Sequence, residues 1–165
     1  MATSTRQHWQ RFMPVNAKIT DPTKLAKILF GFENPPGTKY VAGSQDSIGL
    51  THPGINRLDY DSSYWPHHIQ SCLDESVCEW LEESLAIVPL FERSLGYDPL
   101  AVQNLKKEFI SQLGVIGENC YEAILDKDIK SLGLSLTATH NLWRDILPNT
   151  TSSEIDNELM KYDNK

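Results

Sequence analysis

The chain has 165 residues, of which 40% are hydrophobic and 22% charged, a composition typical of folded globular proteins rather than of disordered chains. Its formal net charge of −7 disfavours nucleic-acid binding, because no general positive field is present to attract phosphates. No run approaches the roughly 18 apolar residues of a membrane span, so we expect a cytoplasmic protein that binds neither nucleic acid nor membrane.

The N-terminus and the cysteines both bear on where the protein acts. Residues 1–19 are expected to be a disordered N-terminus, although their basic, acid-free composition leaves an organellar transit peptide as an alternative. The three cysteines, Cys72, Cys78 and Cys120, form neither a CxxC pair nor an even set. They are expected to be small core residues with free thiols.

The first helices and strands are predicted from helix-capping and turn residues and from the spacing of apolar residues. Asp21-Pro22 predicts a helix start, because Asp caps free amides and Pro fits the first turn, and residues 34–37 (Asn-Pro-Pro-Gly) end that helix. Residues 43–54 are rich in Gly, Ser, Asp and Pro and predict a loop between two strands. The second of these strands covers residues 55–60, where side chains alternate.

The rest of the chain is predicted to be mainly helical. Acidic residues open a helix at Asp74, and residues 86–88 (Ala-Ile-Val) predict a short strand that ends at Pro89. Apolar stripes then predict a helix over 102–124, with a bend or split at Gly114 and Gly117 as an alternative, and a helix over 129–146 that Pro148 stops. Residues 151–154 have the spacing of a capping box and predict one further helix. The fold class expected is α+β, with short antiparallel strands followed by a mainly helical C-terminal half.

Three sequence patterns are weak candidates for a site. Residues 35–39 (Pro-Pro-Gly-Thr-Lys) resemble the end of a phosphate-binding loop, but the lysine neither follows a glycine nor precedes Ser or Thr at a helix start. His52, His67 and His68 have no acid or Cys at a recognisable metal-ligand interval. His140 is expected to be a buried or half-buried residue of a helix face, with no chemistry attached.

The most informative stretch is residues 43–49 (Gly-Ser-Gln-Asp-Ser-Ile-Gly), where glycines bracket an amide and a carboxylate. From chemistry alone, Asp46 either caps a helix, stabilises a turn or serves a site. The residue types and their spacing do not separate these alternatives.

Residues 42–49 together with 53–56 (Pro-Gly-Ile-Asn) and the strand to Tyr60 resemble the sugar kinases of the GHMP superfamily. That superfamily includes galactokinase, homoserine kinase and mevalonate kinase, and the likeness is greatest to heptose-phosphate and fucose kinases, whose motif is Gly-x-Gln-Asp. Residues 85–100 and 118–159 resemble the substrate-side loop and C-terminal helices of these kinases. The resemblance covers about residues 20–160 and implies a partial GHMP-kinase fold.

The resemblance implies that Asp46 lies beside the accepting hydroxyl of a sugar or sugar phosphate, as a base or as a hydrogen-bond acceptor. Ser44 and Gln45 then line the same pocket, and Asn56 and Arg57 reach the sugar from the next strand. Arg93, in the region that resembles the substrate loop, implies a contact to a phosphate already on the sugar, with a solvated loop charge as the alternative. Two departures, at Ser47 and at residues 52–54, leave the identity of the sugar open.

Members of the superfamily use ATP and Mg²⁺, but the chain has no Pro-x-x-x-Gly-Leu-Gly-Ser-Ser loop before residue 43 and no late Gly-rich strand. We therefore expect a truncated kinase or fragment without an ATP site: an unmatched N-terminus at 1–19, a substrate-side part at 20–95 and a helical part at 96–165. It is expected to associate with the missing kinase segments. The alternative is a non-catalytic helical interaction module that pairs with a full-length kinase.

Overall fold

A computed structural model of the chain describes residues 20–90, 92 and 96–162. Over these residues the protein is a mixture of six α-helices and a two-stranded antiparallel sheet, which confirms the general α+β class. Its internal contacts divide the chain into two compact units, residues 1–78 and 79–165. The expected boundary at residue 95 stays a prediction.

Helix α1 covers Pro22–Glu33 and begins where the sequence predicts. The side chain of Asp21 accepts hydrogen bonds from the backbone N–H groups of Thr23 and Lys24, which satisfies two amides that the helix itself leaves unpaired. After the helix ends, the side chain of Asn34 holds the backbone of Ala42 by accepting from its N–H at 2.7 Å and donating to its carbonyl at 3.3 Å. This pair of bonds brings the start of the 43–49 stretch back to the end of α1.

Residues 43–54 are partly helical, so the prediction of a continuous loop between two strands is wrong. Helix α2 covers Gln45–Gly49 and packs against α1, and it buries Ser47 and Ile48. The expected strand before it is also absent, because residues 40–43 have no strand partner within the described part of the chain. Ile48 is fully inaccessible to solvent, and its burial stabilises the helical conformation of this segment over an extended one.

Strand β1 covers Ile55–Asp59, as predicted, and pairs with β2, His68–Cys72, which the sequence analysis did not assign. The register places Ile55 opposite Cys72 and Asp59 opposite His68. Gly54 precedes β1 with a positive φ of 74°, and a Cβ at this position would overlap the carbonyl oxygen of Cys72. Only glycine therefore allows this turn to lie against the end of β2.

Helix α3 covers Glu75–Ser84 and starts after Asp74, as predicted, with the Asp74 side chain accepting from the N–H of Ser76. The strand predicted at residues 86–88 is wrong. No described strand pairs with it, and Ile87 is 98% exposed. Its apolar residues satisfied a strand pattern locally, but a strand forms only where a partner supplies the backbone hydrogen bonds.

In residues 79–165, helix α4 (Lys107–Leu125) and helix α5 (Ile129–Ile146) form a packed pair joined by residues 126–128. The predicted start of α4 at residue 102 is wrong by five residues. The reason is tertiary, because Asn104 donates its backbone N–H to the carbonyl of Ile146 at 2.8 Å and its side chain binds the carbonyl of Asp145. These bonds replace the first turn of a longer helix.

One hydrophobic cluster of this unit lies at the C-terminal end of α5. Leu142, Ile146 and Leu147 are buried there, and partly buried hydrophobic residues pack against them: Phe109, Leu113, Ile116 and Trp143. A 3₁₀ turn at Pro148–Thr150 ends the helix where Pro148 was expected to stop it. None of the helices in the described parts of the chain is long and apolar enough to cross a lipid bilayer.

The last helix, α6, covers Ser153–Leu159. Its cap is Ser152, whose side chain accepts from the N–H of Ile155 at 3.3 Å, and not Thr151 as the capping-box spacing predicts. Thr151 instead donates its hydroxyl to Asp156 at 3.1 Å. The N-cap is therefore one residue later than the spacing predicts, because the Thr151 side chain donates to a carboxylate one turn into the helix.

Candidate functional site

The candidate site begins with Ser44, which is completely buried at the start of α2. Its side chain does not cap the helix, and its Oγ lies 2.9 Å from the phenolic oxygen of Tyr60. Tyr60 directly follows β1, so this hydrogen bond fixes the start of α2 to the end of the strand. A buried hydroxyl needs such a partner, because leaving it unpaired costs about 1–3 kcal/mol.

Gln45 and Asp46 form the first turn of α2 and are both exposed. A Cβ placed on Gly43 would collide with the Gln45 side chain, so the Gln45 carboxamide lies against the Gly43 backbone. The carboxylate of Asp46 has no hydrogen-bond or ion-pair partner among residues 20–90, 92 and 96–162. The structure thus brings Ser44, Gln45 and Asp46 together and leaves the carboxylate open to solvent.

Ser47 occupies the buried face of the same short helix. It is 1% exposed, and its Oγ has no hydrogen-bond partner in the described part of the chain. Nothing in its surroundings assigns it a role in the site. It does provide a direct contrast to Ser44, which is equally buried and has a partner.

Asn56 is occupied by the fold rather than presented to a ligand. Its amide nitrogen lies 3.3 Å from the carbonyl oxygens of His52 and Gly54, and its side-chain oxygen accepts from the hydroxyl of Ser71 at 2.6 Å. Both ends of the amide therefore brace the turn before β1 against β2.

Arg57 lies on the other face of the sheet from Tyr60, because side chains alternate along a strand. Its Nε donates to Asp59 at 2.9 Å. This hydrogen bond, aided by His68 at 3.3 Å and opposed by burial, holds the pKa of the Asp59 carboxyl below its ordinary value. Arg57 thus pairs with Asp59, its neighbour on the same face of β1, and Arg93 lies outside the described residues.

Two of the histidines expected to carry no metal, His52 and His68, have side-chain contacts. His52 lies 3.2 Å from the hydroxyls of Thr23 and Thr51, and His68 contacts Asp59. No group of three His, Cys, Asp or Glu side chains that could hold a metal ion occurs within the described residues.

Helix N-termini are common phosphate-binding places, because their free backbone N–H groups point at the anion. The first N–H groups of α1 and α5 are already bound by the carboxylates of Asp21 and Asp128, which would also repel a phosphate. Helix α4 starts without a capping side chain, but Glu108 lies in its first turn and no glycine occurs in residues 97–106. None of these three helix N-termini has the form of a phosphate-binding loop.

No protein-family model, curated protein or solved structure matches the chain. The comparison with GHMP kinases therefore rests on the residues quoted from the sequence, principally residues 42–49 and 53–56. The geometry described above is independent of that resemblance.

A second set of polar residues lies between α5 and α6, in a cleft of about 280 Å³. Its centre is Asp156, which contacts Nε2 of His140 at 3.3 Å, a guanidinium nitrogen of Arg144 at 3.4 Å and the hydroxyl of Thr151. The prediction that His140 is half-buried on a helix face is confirmed. Asp156 and Arg144 were missed, and no local pattern signals them, because the contacts join residues 12 and 16 positions apart.

Proposed function

We propose that the chain carries the acceptor-binding part of a cytoplasmic sugar kinase, with Asp46 as the residue that addresses the accepting hydroxyl of a sugar or sugar phosphate. One observation carries the proposal: Asp46 is exposed and unpartnered in the described residues, while the turn that bears it is anchored by the hydrogen bond from buried Ser44 to half-exposed Tyr60. The likeness of residues 42–49 to the kinase motif supports it.

In this role the Asp46 carboxylate accepts a hydrogen bond from the sugar hydroxyl and takes its proton as the oxygen becomes nucleophilic. A carboxylate held on a fixed helix turn needs little reorganisation, which is the main requirement of a catalyst that acts through positioning. Gln45, next to it, supplies an amide that donates to one sugar oxygen and accepts from another hydroxyl. The proposal assigns the nucleotide to a segment other than the described residues, because the N-termini of α1, α4 and α5 do not have the form of a phosphate-binding loop.

The test is an active kinase assembled from this chain and a separately supplied segment with a Gly-Leu-Gly-Ser-Ser loop. The variant Asp46→Asn is expected to lower turnover by about 10²–10⁴-fold, the usual contribution of a general base. Asp126→Asn, which removes an exposed carboxylate outside this site, is the matched control and should retain turnover. Near-normal turnover of the Asp46→Asn kinase would reject the assignment.

The nucleotide part of the proposal has its own measurement. Because the described helix N-termini are capped by side chains or preceded by no glycine loop, the chain alone should show no rise in melting temperature with millimolar ATP and Mg²⁺. A shift that corresponds to micromolar affinity would overturn the conclusion that this chain does not hold the nucleotide.

A second candidate function is a non-catalytic helical module that pairs with a full-length kinase. The observation that favours it is the set of large apolar side chains that α4 and α5 expose, among them Ile110 at 49%, Val115 at 58% and Leu134 at 71%. Leu134→Glu should then abolish co-elution with such a kinase, whereas Asp46→Asn should leave it unchanged. The opposite pattern would exclude the module.

A further inference from the structure

The Tyr60 ring is positioned beside the proposed acceptor site by its own hydroxyl. The phenolic oxygen is held by buried Ser44 at 2.9 Å, yet 42% of the residue is exposed. The next two residues after Ser44 are the exposed Gln45 and Asp46. An aromatic surface, an amide and a carboxylate therefore border the same short turn.

These three groups match the chemistry of a sugar ring. A pyranose presents a face of C–H bonds, which packs on the electron-rich face of an aromatic ring. Its hydroxyls both donate and accept, so they pair with a carboxylate and with an amide. Tyrosine suits this task because its hydroxyl is tied down and its ring orientation is thereby fixed.

The charges around the Ser44–Tyr60 bond indicate which sugars fit. The charged residues within two sequence positions of Ser44 or Tyr60 are all acidic: Asp46, Asp59 and Asp61. Asp59 is neutralised by Arg57, which leaves the exposed carboxylates of Asp46 and Asp61. Like charges repel, so a phosphate group on the acceptor is disfavoured here.

We infer that the acceptor is an uncharged sugar whose ring packs on Tyr60 while its hydroxyls bind Gln45 and Asp46, an inference that rests on the proposed function. It narrows the substrate class from sugars and sugar phosphates to free sugars. It also adds Tyr60 to the residues that contact the acceptor.

The test uses the full chain labelled with ¹⁵N and titrated with fucose, galactose and mannose, each paired with its 1-phosphate. The amide signals of residues 43–49 and 60–62 are expected to shift with at least one free sugar, and its phosphate should bind about tenfold more weakly or worse. Tyr60→Leu should weaken the free sugar by about tenfold, because the stacking surface is lost. Tyr60→Phe keeps the ring and breaks the bond to Ser44, so a smaller loss of about twofold to fivefold is expected.

Tyr162→Leu is the matched control, since Tyr162 is 49% exposed in the other unit, and it should not change the affinity. Tighter binding of the phosphates, or unchanged affinity in both Tyr60 variants, would overturn this inference and leave the kinase proposal standing. An absence of shifts in residues 43–49 with every probe would overturn both. Should Tyr60→Leu fail to fold, the comparison of sugar with sugar phosphate in the unaltered chain and the Tyr60→Phe variant still decide the matter.

Discussion

Helices α2 and α6 are both short, and each carries an aspartate near its start, but the two aspartates are used in opposite ways. Asp46 of α2 is exposed and has no side-chain partner in the described residues. Asp156 of α6 contacts three side chains, those of His140, Arg144 and Thr151. The Asp46 carboxylate is therefore available for a ligand, whereas the Asp156 carboxylate is engaged in contacts within the protein.

The reason lies in what each helix buries. Helix α2 buries Ser47 and Ile48, and its start is tied to β1 through Ser44, so its position does not depend on Asp46. Helix α6 buries no residue, so the contacts of Asp156 carry much of its attachment to α5. A short helix that is held by buried side chains can therefore leave a carboxylate free for a ligand, whereas a short helix that is held by charged side chains cannot.

The difference between Asp46 and Asp156 is tested most directly by removing each carboxylate and measuring the change in stability. Asp156→Ala should reduce the local stability of α6 by about 1–2 kcal/mol, a value discounted because Arg144 is half exposed. Asp46→Ala should change stability by less than about 0.5 kcal/mol, as at other exposed positions without partners. Hydrogen exchange of the α2 and α6 amides, with urea unfolding as the global measure, distinguishes the two. A loss of about 0.5–2 kcal/mol for Asp46→Ala would instead identify a cap.

A smaller effect is expected from the two buried serines of α2. Ser44→Ala removes the bond to Tyr60 and should destabilise the protein by about 1 kcal/mol. Ser47→Ala removes a hydroxyl that has no partner in the described residues, so it should be neutral or slightly stabilising. Urea unfolding of both variants tests whether the anchoring of α2 is specific to Ser44, and equal losses would show that it is not.

The smallest effect concerns Asp59. Its carboxylate is intermediate between the unpartnered Asp46 and the fully engaged Asp156, because its partner Arg57 is also partly exposed. Hydrogen bonding by Arg57 lowers the pKa of Asp59 from its ordinary value of 3.8, so the folded state favours the ionised carboxyl. The resulting stabilisation is present above pH 3.8 and is lost as the pH falls through the lowered pKa. Asp59→Asn should remove the contribution of this carboxyl to the loss of stability at acid pH. NMR titration of the β1 and β2 signals measures it, and an unchanged titration in the variant would contradict the prediction.

Sequence reasoning succeeded where the structure is set by local rules. The Asp21 cap, the stop after α1, strand β1, the start of α3 and the end of α5 at Pro148 all follow from side chains that act within a turn of their own position. It failed at residues 86–88, where an apolar strand pattern has no strand partner in the described residues. It also failed at residues 102–106, where the backbone N–H of Asn104 donates to the distant carbonyl of Ile146.

The candidate site shows the same division. Ser44, Gln45 and Asp46 could be selected from the sequence because they are adjacent between glycines. The anchoring role of Tyr60 could not, since its partner is 16 residues away. Asn56 and Arg57 lie on the strand where they were predicted, and the structure shows the Asn56 side chain bonded to Ser71 and the Arg57 side chain bonded to Asp59.

The sequence by itself determined the mixed α+β character, most helix ends and the stretch that holds the candidate carboxylate, because caps, proline and hydrophobic periodicity act over a few residues. Only the tertiary structure decided that residues 45–49 coil into a helix, that β2 completes the sheet, and that Asp46 stays free while Asp156 does not. The physical reason is that burial and hydrogen-bond pairing depend on residues distant in the chain, and a carboxylate becomes available only when those distant groups leave it without a partner.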